Sequence, residues 1–456
     1  MPDYDAIIIG TGQAGPALGR RLVAAGWKIA IIERKLFGGT CVNTGCTPTK
    51  ALVASAYAAH VARRAPDYGV RIEGTVSVDM KAVKARMDAI VAPSRKGVER
   101  SLKMLKGCTV YEGQGRFVAP KKVTVGEETL EADKIFINVG GRALAPPIPG
   151  LDRTPYLTNS SMMDVDFLPP HLIVLGGSYV GLEFAQTYRR FGSKVTVIEL
   201  GPRLVSREDE DVSRAIADFL AQEEIDIRLN SKVAALETRG DKIAVTIESG
   251  ESQVVGSHVL VAIGRRPNTD DLGLDAAGIA VDKHGYIETD DELRTNVPGI
   301  WALGDCNGRG AFTHTAWNDY EIVASNILDN GSRRVSDRIP AYALYTDPPL
   351  GRAGMTETEV RKSGRSALKA TMAMEDVSRA FEKGETKGFM KILVDKQTKQ
   401  ILGASLLGTS GDEVIHCILD VMYTKVPYTV LKKAMHIHPT VSEFIPTMLG
   451  DLAPLE

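Results

Sequence analysis

The chain has 456 residues, 55 Lys and Arg against 57 Asp and Glu for a formal net charge of −2, and is 44% hydrophobic and 25% charged. That balance gives no electrostatic reason to bind nucleic acid or an anionic membrane surface, and the length suits about three domains of ~150 residues. No apolar run approaches the ~20 residues of a membrane span, and the start "MPDYDAIIIG", with Asp3 and Asp5, does not read as a signal peptide. Five cysteines are too few for a disulfide-stapled scaffold, so the expected compartment is the cytoplasm.

The first element group is "DAIIIGTGQAGPALGRRLVAAGWKIAIIE", which reads as strand, glycine turn, helix and strand. Gly10, Gly12 and Gly15 fit G-x-G-x-x-G, and Glu33 closes the second strand 23 residues after Gly10. A lone glycine pattern is weak evidence. Strand, helix and terminal acid in this order make it a dinucleotide fingerprint: glycines let the backbone approach a pyrophosphate at the helix N-terminus, and the acid holds a ribose hydroxyl.

Next comes "GGTCVNTGCTPTK" at 38–50, with Cys41 and Cys46 close together. On a regular helix their Cα atoms would lie about 8–9 Å apart, whereas a disulfide wants them within ~7 Å. Either the thiols are unrelated or the backbone bends. Gly45 is permissive; Pro48 has no N–H for the Thr44 carbonyl and disfavours helical geometry at Thr47, so a bend is expected. A bridge across it would be strained, readily reduced and therefore a working part.

The first pattern then returns. "HLIVLGGSYVGLEFAQTYRRFGSKVTVIE" sets Gly176, Gly177, Ser178 and Gly181 between strand and helix, and Glu199 follows Gly176 by the same 23 residues. Ser178 stands where the middle glycine is expected. "KIFINVGGR" (134–142) and "VLVAIGRRPN" (259–268) echo each other as apolar strands ending in glycine and arginine. "VPGIWALGDCNG" is a further apolar strand, and Asp305 at its end is placed to bind a flavin ribityl hydroxyl or to serve as a turn aspartate. Beyond the polar stretch "NGSRRVSDRIP", "MKILVDKQTKQILGASLLG" predicts two strands around a turn, and "GDEVIHCILDVMYTK" has helical apolar spacing suited to a subunit contact.

Two nucleotide fingerprints beside one cysteine pair suggest an electron relay. The stretches "GTGQAG", "GGTCVNTGCTPTK", "GGSYVGLE", "AIGRRPN", "ALGD" and "HIHPTVSE" together resemble the class I pyridine nucleotide-disulfide oxidoreductases, or flavoprotein disulfide reductases, over essentially the whole chain. That family includes glutathione reductase, dihydrolipoamide dehydrogenase and the catalytic core of mercuric reductase. The resemblance implies an α/β fold with two Rossmann-like domains, for FAD and NAD(P), and a C-terminal α/β dimerisation domain. The implied layout is 1–142 for the first part of the FAD domain, 143–267 for the NAD(P) domain, 268–337 for the returning central segment and 338–456 for dimerisation. FAD, NAD(P)H and a homodimer are implied with it.

Roles carry over by position. Cys46 resembles the charge-transfer thiol nearest the flavin, and Cys41 the interchange thiol that attacks substrate. Lys50 resembles the lysine beside the flavin N5, paired to Glu183, and Tyr179 the aromatic cover of the nicotinamide pocket. His438 and Glu443 resemble the base and its orienting carboxylate, contributed from the other subunit; a neutral imidazole can take a thiol proton and return it. Cofactor contacts are expected at Gly10, Gly12, Gly15, Glu33, Gly39, Thr40, Lys50, Gly115, Gly141, Asp305 and Thr313, and at Gly176, Tyr179, Gly181, Glu199 and Gly264. No resident metal is expected: His436 and His438 lack two further ligands. Cys108, Cys306 and Cys417 are expected to be inert buried thiols.

Glu199 should accept from a ribose 2′-OH and repel a 2′-phosphate, favouring NADH, with Arg203 and Arg207 positioned to soften that preference. The active-site stretch and "SREDEDV" resemble mercuric reductase, yet no N-terminal metal-binding domain is expected ahead of "MPDYDAIIIG", and "MLGDLAPLE" carries no cysteine pair. "HIHPTVSE" is instead close to the dihydrolipoamide dehydrogenase form. The expected acceptor is a disulfide, a dithiol couple or a thiol-bound metal ion, with dihydrolipoamide dehydrogenase as the alternative. A thiol module that merely sequesters metal would have no use for the second fingerprint.

Overall fold

The computed structural model describes residues 3–248 and 253–455. In the first unit β1 (Asp3–Ile9), α1 (Ala14–Ala24) and β2 (Ile29–Glu33) follow the fingerprint, then α2 (Gly39–Asn43), α3 (Cys46–Arg64) and α4 (Met80–Lys103). Strands β3 (Cys108–Glu112), β4 (Gly115–Ala119), β5 (Lys122–Val125) and β6 (Glu128–Ile137) complete the sheet in the order β3-β2-β1-β6-β5-β4. β3, β2, β1 and β6 pair in parallel. Ile7, Ile8, Ile29 and Ile31 are fully buried, as expected of parallel strands covered on both faces.

A short strand β7 (Gly141–Ala143) leads to the second unit: β8 (His171–Leu175), α5 (Tyr179–Phe191), β9 (Lys194–Ile198), α6 (Glu210–Gln222) and β10 (Asp226–Arg228). The meander β11 (Val233–Arg239), β12 (Lys242–Ile247) and β13 (Gln253–Gly256) precedes β14 (His258–Val261), which pairs with β8 in the parallel order β10-β9-β8-β14. β15 (Arg265–Pro267) then runs antiparallel to β7, so the two glycine–arginine echoes of the sequence lie against each other where the chain leaves and re-enters the first unit. After α7 (Leu274–Ala277), β16 (Ile300–Ala302) joins β6 in parallel, and α8 (Thr313–Leu328) packs on α1.

The third unit is an antiparallel sheet. Its strands are β17 (Ala341–Leu344), β18 (Leu350–Gly354), β19 (Ala367–Ala373), β20 (Phe389–Asp395), β21 (Ile401–Leu407) and β22 (Ala453–Pro454), ordered β17-β18-β21-β20-β19-β22. β20 and β21 are the expected strand pair. The expected helix is Gly411–Thr424, whose Ile415 and Ile418 pack into the core with Met390, Ile392 and Leu406. No helix among the described residues is long and apolar enough to cross a membrane.

The Cys41–Cys46 segment bends, but not at Thr47. Thr47 lies within the first turn of α3, and Pro48 is its third residue, where a missing N–H is tolerated. The break falls at Thr44–Gly45, between α2 and α3. A Cβ on Gly45 would stand 2.9 Å from the Thr40 carbonyl oxygen, so the two short segments meet only across a glycine. The Thr44 carbonyl, left without a helical donor by Pro48, accepts instead from Asn159 Nδ2 at 2.9 Å.

The second and third units are joined by an ionic node. Lys391 Nζ, on a side chain 1% exposed, lies 3.1 Å from Asp209, 2.8 Å from Asp211 and 3.0 Å from Glu357. The three carboxylates resemble a cation site whose cation is this ammonium. Removing one partner from such a cluster leaves the others uncompensated, so Lys391→Met should destabilise the fold by about 3–5 kcal/mol in denaturant unfolding. An unchanged midpoint would show that the node contributes nothing.

Candidate active site

The site begins at α3, because its first residue is Cys46. The Cys46 sulfur lies 3.2 Å from Thr313 Oγ1, and Thr313 is the first residue of α8. Two helix N-termini, each a positive dipole end, therefore meet at one sulfur. Cys41, on α2, is the titration partner of Cys46, and both thiols are free. The hydrogen bond from Cys41 lowers the Cys46 pKa to about 6, with Thr313 and Lys50 adding to it against partial desolvation. The same hydrogen bond, with burial, holds Cys41 well above the ordinary thiol range. The surroundings thus favour the thiolate at Cys46 over Cys41.

The remaining cysteines differ. Cys306 is buried as expected, but Cys108 and Cys417 are half-buried rather than buried. Burial pushes Cys306 up to about 12 and Cys108 and Cys417 up to about 11. Cys46 is thus the thiol whose surroundings favour the thiolate.

Lys50 stands one turn after Cys46 on α3. Its Nζ pairs with Glu183 Oε2 on α5 at 2.8 Å and lies 4.4 Å from the Tyr345 ring centroid. Glu183 Oε1 accepts from the Tyr345 N–H at 3.1 Å, so residues from all three units meet at this ion pair. Tyr345 has no sequence signal and was not anticipated. Tyr179 opens α5 one turn before Glu183 and packs edge-on against Phe312 and Tyr342.

The two glycine turns repeat in space as in sequence. Gly10 and Gly176 have φ of +104° and +107°, and a Cβ on either would strike a backbone carbonyl of the neighbouring strand's end. At the first turn Glu33 accepts from Thr11 N at 3.0 Å, and at the second Glu199 accepts from Gly177 N at 2.7 Å. Both following helices start without a side-chain cap and without an acid in the first turn. Their free N–H groups fit the pyrophosphates of two dinucleotides. Gly39, beside Thr40 at the start of α2, sits against Gly12: its Cβ would come 2.8 Å from the Gly12 Cα. The dithiol segment therefore borders the first nucleotide turn. Gly141 brings Asp305 close to β7, and Arg265 lies 3.4 Å from Asp305, whose carboxyl burial pushes upward. Gly115 and Gly264 lie at strand ends, Gly115 against Ile9 and Ile32 and Gly264 just before β15.

His438 and Glu443 are held together, Nδ1 lying 3.0 Å from Oε2, while Thr440 N donates to Oε1 at 3.2 Å. The His438 side chain is 75% exposed, and Met435 beside it is 98% exposed. Among the described residues neither side chain hydrogen-bonds Cys41 or Cys46, and His438 Nε2 makes no hydrogen bond.

In the reduced protein the thiolate ultraviolet absorbance should appear as pH rises through about 6, Cys46 being protonated below that and anionic above it. Thr313→Val removes one stabilising hydrogen bond and should raise the midpoint towards the ordinary thiol range. A wild-type midpoint of ~8.5, the value of a free cysteine, would contradict the arrangement.

Comparison with known proteins agrees with this geometry. The family described as pyridine nucleotide-disulphide oxidoreductase matches residues 4–319, and its dimerisation domain matches residues 340–449. A probable pyridine nucleotide-disulfide oxidoreductase of Escherichia coli, RclA, is 36% identical over 97% of this chain and 98% of its own. A mercuric reductase of Streptomyces lividans is 32% identical over 99% and 98%, and a dihydrolipoyl dehydrogenase of Chlamydia muridarum 31% over 96% and 95%. The solved structure titled as the Cu(II) complex of the HOCl-induced flavoprotein disulfide reductase RclA superimposes with a TM-score of 0.91 at 34% identity, covering 99% of both chains. The chain belongs to the pyridine nucleotide-disulphide oxidoreductases, FAD-dependent enzymes of homodimeric architecture that exchange electrons with pyridine nucleotides.

Proposed function

We propose that this enzyme passes electrons from NADH through FAD to the Cys41–Cys46 pair and from there to a disulfide or a thiol-bound metal ion. The observation that carries the reading is geometric: Cys46 opens α3 with its sulfur 3.2 Å from Thr313 Oγ1 at the start of α8, one turn before the Lys50–Glu183 pair, in a segment that borders the first nucleotide turn. When bound, FAD supplies a two-electron relay between a hydride donor and the sulfur pair. Gly10, Gly12, Gly15 and Glu33 would hold it, with Gly39, Thr40, Gly115, Gly141, Asp305 and Thr313 around it. Gly176, Gly181, Glu199 and Gly264 would hold the nicotinamide dinucleotide, with Tyr179 as its lid. Lys50, fixed by Glu183, supplies positive charge where negative charge develops.

The Cys41–Cys46 disulfide takes two electrons and one proton, giving the Cys46 thiolate and the Cys41 thiol. Because Cys41 holds its proton tightly, a base must remove it, and His438 of the partner subunit, oriented by Glu443, is that base. Cys41 attacks the acceptor disulfide, forms a mixed disulfide and expels one thiolate, which takes the proton back from the imidazolium. The Cys46 thiolate then attacks the Cys41 sulfur, restores the internal bridge and releases the second thiolate. A thiophilic ion held by the two sulfurs would draw on the same electron pair, one Hg(II) or two Cu(II) per cycle.

The likeness to RclA, whose solved structure is titled a Cu(II) complex, and to mercuric reductase supports the metal-ion branch. Dihydrolipoamide dehydrogenase is the second reading, favoured by the His438–Glu443 pair and the 31% identity. NADH is preferred because Glu199 stands at the end of β9, where a 2′-phosphate would meet a carboxylate. The two acids, held by the equivalent backbone N–H of each turn, support that placement.

Turnover of one preparation with lipoamide, glutathione disulfide, Hg(II) and Cu(II) separates the readings; exclusive, fast lipoamide reduction would favour the second. kcat/KM should be higher with NADH, and a clear NADPH advantage would overturn that choice. His438→Ala should slow acceptor reduction by about 10²–10⁴-fold while flavin reduction by the nicotinamide keeps its rate. Equal slowing of both half-reactions would remove His438 as the base.

A further inference from the structure

The acidic stretch at 206–211 has no place in the dithiol relay, yet its first acid is buried beside the expected nicotinamide site. Glu208 is 1% exposed. Its Oε1 accepts from the Tyr342 hydroxyl at 2.6 Å, whereas Oε2 lies 3.9 Å from Arg352 Nε and has no hydrogen-bond partner. Arg352, equally buried, is committed on its other side to the Ser405 hydroxyl and the Ala404 carbonyl. The Tyr342 ring meets Tyr179 edge-on at 5.5 Å and stacks on Phe312 at 5.5 Å with planes 14° apart. Tyr179 meets Phe312 edge-on at 6.3 Å, and its own hydroxyl is buried without a partner.

We infer that Glu208 and Tyr342 form a brace that holds Tyr179 closed over the nicotinamide site, and that both are positioning residues for entry of the hydride donor. The inference rests on the reading of Tyr179 as the lid. Tyr179 stands one helical turn before Glu183, on the helix face that carries the Lys50–Glu183 pair, which is where a lid over that pair would be rooted. A donor can reach it only after the ring swings away. The closed ring gains nothing from its hydroxyl, since a buried unpartnered hydroxyl is a cost. Its position depends on packing against Tyr342 and Phe312. Tyr342 in turn is fixed by a short bond to the buried Glu208 carboxyl group, in a dry setting where a hydrogen bond is strong.

Apparent affinity for a ligand falls with the fraction of molecules closed to it. Loosening the brace should therefore improve donor binding rather than impair it. A purely structural role would do the opposite, lowering the melting temperature and weakening the donor.

The test uses the FAD-loaded dimer. Tyr342→Phe keeps the ring and removes the hydroxyl; Glu208→Gln keeps the side-chain shape and removes the carboxyl group. In rapid-mixing measurements of flavin reduction, both should lower the half-saturating NADH concentration by about threefold or more, with the limiting rate and the acceptor KM unchanged. Tyr179→Ala should lower it at least as far, and adding Tyr342→Phe to Tyr179→Ala should change nothing more. If Tyr179→Ala lowers it but neither brace variant does, the brace is wrong and the lid stands. If Tyr179→Ala has no effect, the lid reading falls and the brace with it. Should Glu208→Gln fail to fold, Tyr342→Phe carries the test alone.

Discussion

The Cys46 sulfur is the point on which the rest of this structure converges. It begins one helix, faces the first residue of another and receives the Cys41 proton, with the Lys50 ammonium one turn away. Each contribution is small alone; dipoles and hydrogen bonds of this kind are worth ~1 kcal/mol apiece. Together they lower the Cys46 pKa and favour its thiolate. Stabilising the thiolate also stabilises the reduced form of the pair, which bears on how readily electrons stay there or move on.

That sulfur cannot be placed by its own segment. The bend at Thr44–Gly45 leaves a carbonyl that only Asn159 satisfies, 115 residues later. Lys50 is aimed by Glu183 from the second unit, and Glu183 is steadied by a backbone N–H from the third. Thr313 arrives from the helix that follows the returning strand of the first sheet. The site is therefore complete only where the three units meet. The Lys391 node and the Glu208–Tyr342 contact join the second unit to the third within a few residues of each other.

Much of this was legible in the sequence because nucleotide turns are local. A glycine turn needs its glycines where the backbone approaches a neighbour, and a strand-end acid follows at the length of one βαβ unit. Both constraints act within about 23 residues and recur at Gly176–Glu199. The duplication was also visible in the glycine–arginine echoes, although nothing local indicated that they pair with each other. Pro48 misled in detail: the residue types announced a break, but a proline in the first turn of a helix reads the same as one that ends it. Asn159, Tyr345, Tyr342 and Lys391 act through contacts with residues more than 100 positions away, and no spacing rule connects them. Half-burial of Cys108 and Cys417 likewise depends on packing, which composition does not encode.

The central claim is that the sulfur pair stores electrons in addition to the flavin. Anaerobic reductive titration of the FAD-loaded protein measures this directly. The account predicts that each subunit takes up two electron pairs, one for the flavin and one for the Cys41–Cys46 bridge, and that Cys41→Ser takes up one. Uptake of a single pair by the wild-type protein, identical to the variant, would contradict it.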